Sequence, residues 1–209
     1  MKIAIIGASA GVGLETTRRA LQQGHQVTTL SRRIDTLPEH PMLKRVKGSS
    51  TNPKDMEIAL LDAEAILVTL GTGSSLKATT LFSESARILL QVQQKIGSTV
   101  PLIVLTGFGA GDSSNYHSPL IKFLFNLFLR VVYIDKSEME RLLVAGYSNC
   151  EIVRPGRLTN GTMTGHYHVM DTLFKGMKVS ALSRADVAHF MVSQAENPTF
   201  LGKYVALSY

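Results

Sequence analysis

Apolar residues fall in short unbroken runs along this chain, separated by stretches where they recur every three or four positions. Ile3-Ala4-Ile5-Ile6 opens the series. Ala65-Ile66-Leu67-Val68-Thr69 and Pro101-Leu102-Ile103-Val104-Leu105-Thr106 repeat it, and residues 150–154 and 204–207 read the same way. Such runs, without polar alternation, predict strands covered on both faces. Gln26-Val27-Thr28-Thr29-Leu30 and Leu43–Lys47 add two more. The predicted strands are β1 (3–6), β2 (26–30), β3 (43–47), β4 (65–69), β5 (101–106) and β6 (150–154). Helical spacing fills the gaps. Val12, Leu14, Ala20 and Leu21 share one face; a helix starts at Pro53 and runs to about residue 62. Leu81, Ala86, Ile88, Leu89 and Val92 mark a long helix that stops before Gly97, and Met139, Leu142, Leu143 and Ala145 point inward from a helix over 133–146. Ser183 caps a last helix with Asp186 at N3, after which 204–207 closes the sheet. Strands alternating with helices imply an α/β fold: a doubly wound, mostly parallel sheet with helices on both faces.

The join between β1 and the first helix carries the sharpest chemical signal. Gly7-Ala8-Ser9-Ala10-Gly11-Val12-Gly13 comes directly off the strand and opens the helix. Small residues let the backbone approach a pyrophosphate, and the N–H groups of the helix start point at it. The three-glycine spacing is imperfect, since Ala10 stands where glycine is frequent and Gly11 follows it. This order of strand, glycine loop and helix specifies a Rossmann dinucleotide site. The tip of β2 decides which dinucleotide. An Asp or Glu there would bond the ribose hydroxyls of NAD, whereas this chain has Ser31-Arg32-Arg33, with Asp35 only after the arginines. Guanidinium groups suit a 2′-phosphate, so the expected cofactor is NADP(H).

Charge points the same way. The net charge is +6, and residues 1–54 hold nine Lys or Arg against three Asp or Glu, while the remainder holds thirteen of each sign. The excess therefore lies in the half that would cradle a cofactor with three phosphates. No zinc-finger spacing, RNA-binding aromatic motif or basic helical stripe accompanies it, so no nucleic-acid partner is expected. At 209 residues and 44% hydrophobic, the chain is expected to form one domain over 1–209. The lone Cys150, flanked by a strand-like run, reads as a buried inert thiol and fits a reducing, cytoplasmic setting. Lys2 followed by four apolar residues and the glycine loop is not a signal-peptide pattern. No stretch reaches the roughly 18 uninterrupted apolar residues of a membrane span, so stable insertion is not expected.

In a doubly wound sheet the ligand lies at the carboxyl ends of the strands, so the loops there matter most. Leu70-Gly71-Thr72-Gly73-Ser74-Ser75 follows β4, Thr106-Gly107-Phe108-Gly109-Ala110-Gly111-Asp112 follows β5, and Arg154-Pro155-Gly156-Arg157 follows β6. With the glycine loop, Ser31-Arg32-Arg33, Asp135-Lys136 and Ser183-Arg184-Ala185-Asp186-Val187-Ala188, these segments resemble the NADP-binding, atypical short-chain dehydrogenase/reductase families over nearly the whole chain. The resemblance is strongest to the NmrA-like group that includes flavin reductases of the biliverdin reductase B type. It implies an NADPH-dependent reductase acting on a flavin, tetrapyrrole, quinone or similar conjugated small molecule. Leu70, Gly71, Thr72, Thr106, Gly107 and Pro155 then join the cofactor-binding candidates, and Lys136 matches the lysine that contacts the nicotinamide ribose in the broader family.

The catalytic candidates depart from that family. Tyr133-Ile134-Asp135-Lys136 is one residue shorter than Tyr-x-x-x-Lys, although positions i and i+3 of a helix still share a face. Relatives of the biliverdin reductase B type carry a serine just after the β5 threonine; here it is Gly107, so a side-chain proton donor is missing at that point. Ser49 stands where relatives often have an Asp touching the adenine. Hydride delivery to a delocalised acceptor needs orientation more than a placed acid, whereas a simple ketone would want a Tyr or Ser donor. Tyr133 and Lys136 are the catalytic candidates, with Tyr116 and His117 as further proton sources. The alternative function is an NmrA-like redox sensor that binds NADP(H) without turnover.

Residues 119–134 form an apolar-rich segment in which Lys122, Asn126 and Arg130 recur every four positions. Four roles suit it: a pocket wall beside the β5 loop, plain core packing, a dimer interface, or a membrane-surface contact. The chain is expected to be a monomer or homodimer. His166 and His168 alternate but lack a nearby third ligand, so they read as loop histidines and no metal is expected.

Overall fold

The computed structural model describes residues 1–73, 75–116, 129–174, 176–177 and 179–209. An eight-stranded sheet forms its centre. It is built from β1 (Lys2–Ile6), β2 (Gln26–Ser31), β3 (Leu43–Lys47), β4 (Ala65–Val68), β5 (Leu102–Leu105), β6 (Cys150–Pro155), β8 (His168–Met170) and β10 (Tyr204–Ser208), in the order β3-β2-β1-β4-β5-β6-β10-β8. All pairings are parallel except that of β8 with β10. The sequence expectation that 204–207 ends the sheet is corrected here, because β8 lies outside β10. The same strand takes in His168, which was expected in a loop. Two short strands, β7 (Leu158–Thr159) and β9 (Leu182–Ser183), pair separately in parallel.

The apolar runs are continuous because both faces are covered. Ile3, Ile5, Leu67, Ile103, Leu105 and Val153 turn to one side, into a core shared with α1 (Gly11–Gln22) and α5 (Arg184–Glu196). Their neighbours Ala4, Ile6, Ile66, Val68, Leu102, Val104 and Ile152 turn to the other, against α2 (Pro53–Leu60), α3 (Leu81–Ile96) and α4 (Arg130–Gly146). The period of two sends successive residues of the central strands into alternate cores. Helix starts follow local chemistry. The Asn52 side chain accepts from the N–H groups of Lys54 and Asp55 ahead of α2, with Pro53 at its first position. The Ser183 hydroxyl accepts from the Asp186 N–H at the start of α5, as the sequence predicted. Helix α2 ends at Leu60, two residues short of expectation, and α4 begins three residues earlier than expected, at Arg130. Strand order reverses between β1 and β4, where a crevice opens at the carboxyl ends of the strands.

Candidate functional site

The glycine loop is pressed against the end of β4. Gly7 has φ +95°, and a Cβ there would lie 2.9 Å from the Leu70 nitrogen. A Cβ on Gly13 would overlap the Gly7 carbonyl oxygen and lie 2.6 Å from Thr69 Oγ1. These two glycines therefore set the loop's path. Helix α1 follows an extended Ala10, which offers no side-chain cap, and its first turn holds no acid. Its opening N–H groups are left for an outside acceptor.

That acceptor site belongs to a cleft of about 1190 Å³ along the strand ends. Gly7, Ser9, Ala10, Gly11 and Val12 line it from the glycine loop, and Ser31, Arg32 and Arg33 from the tip of β2. Ser31 is only 5% exposed, and its Oγ has no hydrogen-bond partner among the described residues. A buried hydroxyl of this kind facing a cleft is what a polar ligand atom would satisfy. Thr36 Oγ1 donates to the Ser9 carbonyl at 2.6 Å, tying the arginine loop to the glycine loop. Among the described residues no carboxylate lies within ion-pair distance of Arg32 or Arg33. Ser49 also lines the cleft, with its N–H on Asp55 and its hydroxyl 2.8 Å from that of Thr51.

At the other end lie Leu70, Gly71, Thr72, Thr106, Tyr133 and Lys136. Thr106 is held twice by α4: its carbonyl accepts from Lys136 Nζ at 2.5 Å, and its hydroxyl donates to Glu140 at 2.6 Å. The Lys136 ammonium also stands 4.9 Å from the ring centre of Tyr133 and 5.3 Å from that of Phe82. Burial pulls Lys136 down to about 8, against the opposing field of Glu140. Burial, reinforced by Glu140, pushes the Tyr133 phenol up to about 12. Beneath them Arg154, nearly wholly buried, grips Glu140 through Nε at 3.0 Å and Nη2 at 2.7 Å and reaches Asp112 at 2.6 Å.

Gly107 explains the position of Tyr133. Its φ is +148°, and a Cβ there would fall 2.5 Å from the Tyr133 hydroxyl oxygen and 3.3 Å from Cζ. The phenol occupies the space that a side chain at 107 would need.

The expected residues do not all face the cleft. Ala8 and Gly13 are buried behind the loop, Gly107 sits behind Tyr133, and Pro155 ends β6 with its carbonyl accepting from the Phe108 N–H. Cys150 is buried, and burial pushes its thiol well above the usual range. Of the apolar segment 119–134, residues 119–128 lie outside the described residues, as do His117 and, in the β4 loop, Ser74; Leu129, Val132 and Tyr133 line the cleft. Arg184, Asn160, Glu140 and Arg154 were not anticipated as site residues. For Arg184 the sequence signals were its place beside the Ser183 cap and in the segment 183–188 that carries the family resemblance, and for Glu140 its spacing of four from Lys136. A smaller hollow of about 460 Å³ lies at the amino ends of β1, β2 and β3, away from the glycine loop. No described helix is long and apolar enough to cross a membrane.

Solved structures share this architecture. An anaerobillin reductase, ChuY, from Escherichia coli O157:H7 superimposes with a TM-score of 0.81 at 23% identity, over 100% of this chain and 97% of its own. A short-chain dehydrogenase/reductase from Veillonella parvula, solved with NADP, gives 0.84 at 16% identity over 100% and 94%. A candidate NADH-flavin reductase from Streptococcus pneumoniae gives 0.80 at 20% identity over 100% and 99%. Residues 7–198 match a family model described as NAD(P)H-binding, a span that takes in the glycine loop, the arginine pair and Lys136. The chain belongs to this NAD(P)H-binding family, in keeping with its resemblance to the atypical short-chain dehydrogenases/reductases.

Proposed function

We propose that the protein is an NADPH-dependent reductase whose acceptor is a flavin, tetrapyrrole, quinone or similar conjugated molecule. The observation that carries this is one cleft holding the open start of α1, the buried Ser31 hydroxyl, the arginine pair and Lys136. These residues fit NADP(H). Arg32 and Arg33, with Ser31, would hold the 2′-phosphate; the glycine loop would hold the pyrophosphate; Lys136 would hold the nicotinamide ribose. When bound, the cofactor supplies a hydride to an electron-poor acceptor. The protein's own part is placement and the exclusion of water. The packing of Gly7 and Gly13 on β4 fixes the loop, Thr106 fixes Lys136, and Leu129 and Val132 give the acceptor end an apolar wall.

The Tyr133 phenol, its pKa pushed up to about 12, stays protonated and would serve as a hydrogen-bond donor rather than a base at the acceptor end. Reductases described for anaerobillin and for flavin share the fold.

The test is an acceptor panel followed by loss of NADPH absorbance. Turnover is expected with flavins, quinones or linear tetrapyrroles, and little with simple ketones. Turnover with ketones alone would overturn the acceptor class. Tight NADPH binding with no turnover on any acceptor would make the protein a sensor instead.

A further inference from the structure

Arg184 stands at the first position of α5, where a cation opposes the helix dipole. The acid of that first turn, Asp186, does not answer it. Its oxygens accept from the Ser183 hydroxyl, the Thr164 and Gly165 N–H groups and the Tyr209 hydroxyl. Among the described residues Arg184 has no carboxylate within ion-pair distance; its Nη1 donates to the neutral Asn160 Oδ1 at 2.6 Å. The short β7–β9 pairing explains why these two meet. Leu158 lies opposite Leu182 and Thr159 opposite Ser183, so the next step in register puts Asn160 beside Arg184. Both line the cleft. The guanidinium side crosses to the glycine loop: Nε lies 3.6 Å from where a Cβ on Gly11 would be. A Cβ on Gly11 would rest in ordinary van der Waals contact with this side chain, so the guanidinium stem lies directly against the glycine loop.

Resting on the NAD(P)H reading of the cleft, we infer that Arg184, steadied by Asn160, is a second pyrophosphate-binding element that faces the glycine loop from the opposite wall. The α1 N–H groups approach the diphosphate from one side, and the guanidinium supplies charge-assisted hydrogen bonds from the other. This assigns Arg184 a task different from that of Arg32 and Arg33. The arginine pair would read the 2′-phosphate and so separate NADP(H) from NAD(H). Arg184 would read the diphosphate common to both and leave that choice unchanged.

The experiment titrates wild type, Arg184→Gln, Arg184→Lys and Asn160→Ala with NADPH, NADH and ADP-ribose by calorimetry, alongside thermal melts. Loss of a charge-assisted bond should weaken all three ligands alike in Arg184→Gln, by about 10- to 100-fold, with the NADPH-to-NADH ratio unchanged. Arg184→Lys should recover part of the loss and Asn160→Ala should show a smaller one. The melting temperature of Arg184→Gln should hold or rise slightly, because a cation leaves the start of a helix. Unchanged affinity in Arg184→Gln overturns the inference, as does weakening of NADPH alone, which would put Arg184 on the 2′-phosphate. An effect confined to the KM of the acceptor overturns it too. If wild type binds none of the three ligands, it is the cofactor reading that fails.

Discussion

Replacing Glu151 by glutamine should stabilise this protein, and by an amount that grows with pH. Glu151 is 0% exposed on β6, opposite Ile103 of β5 and on the same strand face as Val153, which packs under α5. Neither of its carboxyl oxygens has a hydrogen-bond partner among the described residues. Burial pushes the carboxyl up to about 8. The folded chain therefore prefers the protonated acid, while the unfolded chain ionises near the ordinary value of about 4.3. Below both values each state holds the proton and ionisation costs nothing. Between them, stability falls by about 1.4 kcal/mol per pH unit, and above about pH 8 the penalty levels off near 5 kcal/mol. At pH 7 it is on the order of 3–4 kcal/mol. Glutamine keeps the shape and removes the titration, leaving an unbonded amide as a pH-independent offset. Urea unfolding of both proteins at about pH 5, 6, 7 and 8 measures the difference, which should widen by about 3–4 kcal/mol in total across that range. A difference that stays flat within about 0.5 kcal/mol would mean that Glu151 keeps an ordinary pKa through some partner, and the reasoning fails.

Other outcomes follow from the cleft. Arg32→Ala should erase an NADP(H) preference of at least about tenfold over NAD(H) and leave NAD(H) affinity nearly unchanged; equal affinities in wild type would refute the 2′-phosphate reading. Lys136 is charged below about 8 and loses its proton above it, so NADPH affinity should fall as pH rises through that value. Measured in the Glu151→Gln background, where unfolding does not mimic the effect, the dependence should vanish in Lys136→Gln, and its persistence there would assign it elsewhere. Gly107→Ser puts a side chain where the Tyr133 hydroxyl lies and asks an L-residue to hold φ +148°, so destabilisation of about 1–3 kcal/mol and loss of acceptor turnover are expected. Tyr133→Phe should soften the Gly107→Ser penalty; strictly additive melting shifts in the double variant would show that the two positions do not meet.

What the sequence revealed and what it hid divides along physical lines. Runs such as Ile3 to Ile6 and Leu102 to Leu105 announced a sheet covered on both faces, because no polar residue interrupts them and the two cores take alternate positions. The glycine loop was legible because its chemistry is local: strand, small residues and helix lie consecutively in the chain. Strands β7, β8 and β9 have two or three residues each, too few for a period to show, and among the described residues β8 pairs only with the distant β10. The Arg184–Asn160 contact depends on the equally hidden β7–β9 pairing. Arg154 and Glu140 come from different elements and meet only after β6 and α4 dock. Gly107 read as a lost proton donor until Tyr133, twenty-six positions on, was seen to occupy the vacated space.

The buried ion pair beneath the cleft bears on how the acceptor end keeps its positive charge. Glu140 is the acid whose field raises Lys136, and a direct contact between them would neutralise both and leave Lys136 nothing to offer a ligand. Its oxygens are taken instead by Arg154 and by the Thr106 hydroxyl. Lys136 turns its ammonium to the Thr106 carbonyl and two aromatic rings, none of which carries a compensating negative charge. A buried pair such as Glu140–Arg154 adds little net stability, because desolvation offsets most of the attraction. Its effect is positional. It fixes Thr106 between β5 and α4, and through Asp112 it fastens the turn after β5 to β6. The lysine thus stays cationic near neutral pH, held at a fixed point of the cleft by a neutral carbonyl, which is the condition for binding ribose hydroxyls without being quenched by the protein's own acids.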